Sequence, residues 1–187
     1  MYENMTFEVI LAMIIASMLS NNYPLIECLG TGAVLENERS NKRSLLLGLC
    51  TTVVMLITSL ITWPINEFLL PNATYLQTLV FVCVVLVVVE VFHLVDHNVI
   101  NKFCRVDFTK FAINGALLGL CIHNTELGFV EALITSLGVG LGFTVTLAVF
   151  SALEHRVDDD AVPYSFRGLP IHLLTAGMIV LALLCFK

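Results

Sequence analysis

Ser44–Trp63, SLLLGLCTTVVMLITSLITW, runs for 20 residues without a charged side chain, and a helix needs about 20 apolar residues to cross the hydrocarbon of a bilayer. Two further stretches meet that requirement: Ala132–Leu153 has 22 uncharged residues, and Gly168–Phe186 has 19, with His172 its one titratable group. A fourth, Tyr75–Val95, contains the unbroken apolar run Leu79–Val89, LVFVCVVLVVV, with Glu90 and His93 following it. Valine-rich sequence favours a strand in water. In lipid, a helix satisfies its own backbone and an open strand does not, so this stretch too is expected to be helical.

The rest of the chain agrees with a lipid solvent. Of its 187 residues, 58% are hydrophobic and 13% are charged, and the mean hydropathy is +0.91. A water-soluble domain carries about a quarter charged residues. With half that supply the chain cannot cover its own surface with polar groups, which excludes a soluble enzyme, a nucleic-acid binder and a disordered tail. Phosphate loops, zinc-ligand spacings and nucleophile elbows are likewise missing from the sequence. The six cysteines, Cys28, Cys50, Cys83, Cys104, Cys121 and Cys185, lie mostly inside apolar runs and never in a CxxC. They read as buried, inert thiols. Met1–Glu8 holds two Glu and no basic residue, so no cleavable leader is expected.

The remaining apolar stretches are irregular. Val9–Ser20 is clean, Ser20-Asn21-Asn22-Tyr23-Pro24 interrupts it, and Leu25–Leu35 follows with Glu27, Gly30 and Gly32 inside it. Pro24 removes a backbone donor and the Asn pair competes for backbone hydrogen bonds, which is the pattern of a broken helix. Between Lys110 and Glu126 stand only 15 uncharged residues, Phe111–Thr125, and they contain Asn114-Gly115 and Gly119. That is too short for a full crossing. In order, the spans read broken, whole, whole, then short and broken, whole, whole. The expected architecture is therefore an all-α integral membrane protein of six segments in a single domain over 1–187. It divides into two three-helix repeats, 1–98 and 99–187, with the first helix of each broken near the bilayer midplane. An odd number of helices per repeat makes the second copy inverted. Asn22 before Leu29-Gly30 and Asn114 before Leu118-Gly119 repeat the local pattern.

Orientation follows from Lys and Arg. Arg39, Lys42 and Arg43 lie between segments one and two; Lys102, Arg105 and Lys110 between three and four; Arg156 and Arg167 between five and six. Eight of the nine basic residues thus share one side, which should be cytoplasmic. Both termini are expected outside the cytoplasmic membrane.

The motifs Tyr75-Leu76-x-Thr78-Leu79-x-Phe81 and Val162-Pro163-x-x-Phe166-Arg167-Gly168-x-x-Ile171-x-Leu173-x-Thr175-Ala176-Gly177 resemble the RnfA/NqrE family of membrane subunits from the Rnf and Nqr respiratory complexes. The similarity covers essentially the whole chain. It implies an electron-transport role coupled to Na⁺ or H⁺ movement, alongside other complex subunits and an oppositely oriented homologous membrane subunit. It also implies a two-iron two-sulfur cluster shared between the two homologues, each giving two Cys from its broken helices; soft, anionic thiolates match such a core. In this chain the corresponding positions are Gly32 and Gly115. Glycine has no ligand side chain, so this subunit is expected to hold no cofactor of its own. Cys28, one turn before Gly32, and Cys121, six residues after Gly115, are the candidate substitutes.

Glu27 inside the first broken helix, and Glu90 with His93 three residues apart on the third segment, are candidates for an ion pathway, because titratable groups at membrane depth face protein or water. For Glu90 and His93 the competing reading is reach to the headgroups. Gly138, Gly140 and Gly142 thin the wall of the fifth segment for close helix packing. The function expected is that of a membrane subunit in a redox-driven ion-translocating complex. The competing function is a non-redox transporter or channel that reuses the inverted-repeat fold.

Overall fold

The computed structural model describes residues 7–19, 41–69, 74–99, 115–154, 156 and 163–184. All its regular elements are helical: α1 (Phe7–Leu19), α2 (Asn41–Leu69), α3 (Thr74–Val99), α4 (Gly115–His123), α5 (Phe129–Glu154) and α6 (Leu169–Leu184). Short 3₁₀ turns at Asn124–Glu126 and Tyr164–Phe166 precede α5 and α6. The helices α2, α3 and α5 are each long and apolar enough to cross a membrane, and α1 and α6 are shorter apolar helices.

The anticipated spans form, with informative differences at their ends. The second segment runs six residues beyond Trp63, to Leu69, carrying Pro64 inside it. Proline forfeits one backbone bond to Leu60 but does not stop the helix, and Asn66 near its end is tied to the next element, Gln77 Nε2 of α3 donating to Asn66 Oδ1 at 2.7 Å. In the fourth segment the described helix, α4, has nine residues, about 14 Å of rise; residues 111–114, the first part of the uncharged stretch, lie outside the described residues.

The centre of the molecule is the crossing of α2 and α5. A Cβ on Gly48 would sit 2.7 Å from Thr144 Cα, and one on Gly140 would sit 2.5 Å from Thr52 Cγ2. As α2 advances from 48 to 52, its partner on α5 retreats from 144 to 140, so the helices cross antiparallel with their backbones in contact. Each threonine donates to the carbonyl of its own glycine, Thr52 to Gly48 at 2.8 Å and Thr144 to Gly140 at 3.0 Å, and the two Oγ1 atoms lie 3.2 Å apart. The opposite side of α5 receives α1. Cβ atoms on Gly138 and Gly142 would each come within 2.7 Å of α1, at Ser17 Cβ and Met18 O respectively. The packing role expected of the three α5 glycines is the one they play, split between two neighbours.

Around this crossing the core is apolar: Leu47, Val54 and Met55 of α2, Phe81, Val85 and Val89 of α3, Leu117 and Leu120 of α4, and Val139, Phe143, Leu147 and Phe150 of α5. Several buried hydroxyls of α2 and α5 donate within their own helices, as at Thr51 to Leu47 O and Thr58 to Val54 O, the usual means of seating Ser and Thr where no water competes. α3 is only marginally covered. Val82, Leu86, Val87 and Val91 face outward, as does Cys83. Cys83 is thus a correction to the uniform reading of buried thiols: on a helix that is apolar all round, sequence does not mark which face turns outward.

Candidate functional site

The short helix α4 organises the polar interior. Ala116, Leu117, Leu120 and Cys121 bury it, and the chain then tightens into the Asn124–Glu126 turn and returns through Leu127 and Gly128 into α5. Trp63 of α2 fixes this return, its indole N–H donating to Leu127 O at 3.0 Å and its ring meeting Phe129 edge-on at 5.1 Å. Gly128 N–H donates to the Glu131 carboxylate at 3.3 Å, which meets an otherwise unpaired donor at the start of α5.

Inside that return lies Asn124, only 2% exposed. Its Nδ2 donates to Ser59 of α2 at 2.8 Å and to Ser136 of α5 at 2.9 Å, and Ser136 passes its own proton to Ala132 O at 2.6 Å. One amide therefore joins three elements. Thr58, Thr62 and Thr135 add further buried hydroxyls at the same level. The sequence reading missed this node, because Asn, Ser and Thr enter a span count only as uncharged residues. A signal for its framework was present. Ser44-Leu45-x-x-Gly48-Leu49-x-x-Thr52-Val53 with Ser59, and Ser136-Leu137-x-x-Gly140-Leu141-x-x-Thr144-Val145 with Ser151, are the same pattern, and Thr52 and Thr144 stand 92 residues apart.

Of the residues singled out from sequence, Gly115 is exposed at the first position of α4. Cys121 is buried six residues further on, about 1.7 turns, in the apolar core, with its thiol in hydrogen-bonding contact with Thr62. The two do not share a face. Glu90 is on the exposed side of α3, away from the Asn124 node, and His93 lies further along the same helix. Asn21, Asn22, Pro24, Glu27, Cys28, Gly32 and Asn114 lie outside the described residues; α1 ends at Leu19, just before the first of them. Among the described residues no three His, Cys, Asp or Glu side chains come together as a metal site would require. Gly32 and Gly115 have no side chain with which to hold a metal.

Entry to α6 depends on the motif around Gly168. Pro163 leads into the Tyr164–Phe166 turn, and Gly168 adopts φ +80° immediately before α6, a conformation that residues with a Cβ rarely take. On α6, His172 packs its ring against Phe150 of α5 at 6.4 Å, so it is held against the bundle as well as lying near the segment's start.

A family model described as "Rnf-Nqr subunit, membrane protein" matches residues 10–187. The chain is 32% identical to a protein of Syntrophotalea carbinolica named as a subunit of the ion-translocating oxidoreductase complex, over 184 residues and covering 95% of each chain. The protein of the same name from Shigella flexneri is 31% identical with 95% of each chain covered. That of Thioalkalivibrio sulfidiphilus is 32% identical, covering 92% of this chain and 94% of its own. With apolar helices long enough to span a bilayer and a match along nearly its whole length, the chain is an integral membrane protein and belongs to the Rnf-Nqr family of membrane subunits.

Proposed function

We propose that this protein is a membrane subunit of an Rnf-type electron-transport complex that couples redox chemistry to Na⁺ or H⁺ translocation, in a form that lacks the family's intramembrane iron–sulfur cluster. The observation that carries the role is the similarity, end to end, to proteins named as one particular subunit of an ion-translocating oxidoreductase complex. The observation that carries the qualification is glycine at both Gly32 and Gly115.

In this reading the chain is two inverted repeats, 1–98 and 99–187. The reciprocal contacts of Gly48 with Thr144 and of Gly140 with Thr52 support it, because a two-fold axis between antiparallel α2 and α5 generates each contact from the other. Both termini lie outside the cytoplasmic membrane, and an oppositely oriented homologue covers part of the outward surface. The deciding experiment is purification of the native assembly through this chain, with identification of its subunits, iron analysis and reduced-minus-oxidised spectra. Flavin-bearing subunits and a homologue of opposite orientation are expected. An assembly containing only copies of this chain would overturn the redox role.

A further inference from the structure

Where α2, the end of α4 and α5 meet, the buried hydrogen-bonding groups do not balance. Thr58, Thr62 and Ser136 give their hydroxyl protons to carbonyls of their own helices, at Val54, Thr58 and Ala132. Toward one another they are acceptors. Asn124 brings two amide protons, and both are used, one on Ser59 and one on Ser136. Because Ser136 donates to Ala132 O, turning Oδ1 toward Ser136 would set two acceptors against each other, which favours the amide with its nitrogen toward both serines. Asn124 Oδ1 is left buried with no hydrogen-bond partner. In lipid such an oxygen is costly, with no bulk water to relieve it.

The unpartnered group is an amide oxygen among buried hydroxyls, at the C-terminal end of α4, where the peptide dipoles present their negative pole. Neutral oxygens together with half-helix C-terminal ends are the chemistry by which membrane proteins hold dehydrated alkali cations. The absence of a carboxylate from Thr58, Ser59, Thr62, Asn124, Thr135 and Ser136 disfavours a divalent ion, which draws on charged ligands.

We propose that Asn124 Oδ1 is a ligand in a site for a monovalent cation of the Na⁺ class, at the C-terminal end of α4 and at the end of α5 opposite Arg156. Binding is argued from the amide; only the cation's onward movement rests on the ion-translocating role above. Ser59 and Ser136 are positioning residues that hold the amide nitrogen, so that the oxygen points away from them.

The test is equilibrium binding of radioactive Na⁺ to the native assembly in lipid nanodiscs, with choline as the inert counterpart and K⁺ and Li⁺ as competitors. Asn124→Leu, similar in branching but without an oxygen, is expected to bind one Na⁺ fewer per copy of the chain. Asn124→Asp keeps an oxygen in place and adds charge, and is expected to bind Na⁺ at least about tenfold more tightly. Equal Na⁺ stoichiometry in the wild type and Asn124→Leu overturns the proposal. If the leucine variant does not assemble, unchanged Na⁺ affinity in Asn124→Asp overturns it instead. An ordered water on Oδ1 with no Na⁺-dependent difference between variants does the same. Failure of the redox role is separate: an assembly without flavin-bearing subunits leaves the Na⁺ count as it stands.

Discussion

Gly48 and Thr144 meet so closely at the crossing of α2 and α5 that the threonine Cα occupies the space a glycine Cβ would need, 2.7 Å from it. Four residues along, the same contact recurs with the roles exchanged between Thr52 and Gly140. The glycines therefore set the separation of the two central helices, and the threonine hydroxyls, 3.2 Å apart, fill the seam between them. In lipid, where water does not drive helices together, such backbone proximity and polar contact are the main sources of association.

Gly48→Ala and Gly140→Ala are expected to destabilise the protein by about 1–3 kcal/mol each, because neither backbone has room to yield without parting the helices. Gly177→Ala is the control: nothing lies within 4 Å of its added methyl, and the change should fall within about 0.5 kcal/mol. Thermal unfolding of the isolated chain in detergent measures all three. Equal melting temperatures would contradict the packing.

Gly168→Ala should cost about 1–2 kcal/mol, since alanine at φ +80° suffers the clash that glycine escapes. Asn, which tolerates that region better, should recover part of the loss. The effect is expected to be local and to show as faster proteolysis between α5 and α6 in the alanine variant, with the asparagine variant in between.

A reporter fused after Lys187 should report the outside of the cytoplasmic membrane: alkaline phosphatase active and green fluorescent protein dark. The basis is eight basic residues on the opposite face. Bright fluorescence from the second fusion would invert the orientation and, with it, the choice of partner.

Iron content of the native assembly should be unaffected by the double change Cys28→Ser and Cys121→Ser. A loss of about two irons per complex would mean that the ligands had moved to these thiols. Gly32→Cys with Gly115→Cys is expected to add iron only where the oppositely oriented partner still supplies its own pair.

The spans were legible because charges punctuate the chain: Glu67, Glu126 and Glu131 stand near helix ends, and uncharged runs of the right length lie between such marks. Pro64 was not, since whether proline ends a helix depends on what lies beyond it. The outward turn of Cys83 was illegible because α3 is apolar on every side. The Asn124 node escaped because its members are defined by which protons are already committed, a property of three-dimensional geometry that no residue type announces. The matching Gly and Thr positions of α2 and α5 were in plain view but at a spacing of 92 residues, beyond any local pattern.

With Gly138 and Gly142 of α5 against α1 and Gly140 against α2, both neighbours rest on the α5 main chain, with only the short side chains of Ser17 and Thr52 in the contact. α1 and α2 are thus seated on opposite sides of one helix, and α2 in turn holds the return loop at Leu127 through Trp63. A displacement of α1 is therefore expected to reach the loop beside Asn124 by way of α5 and α2.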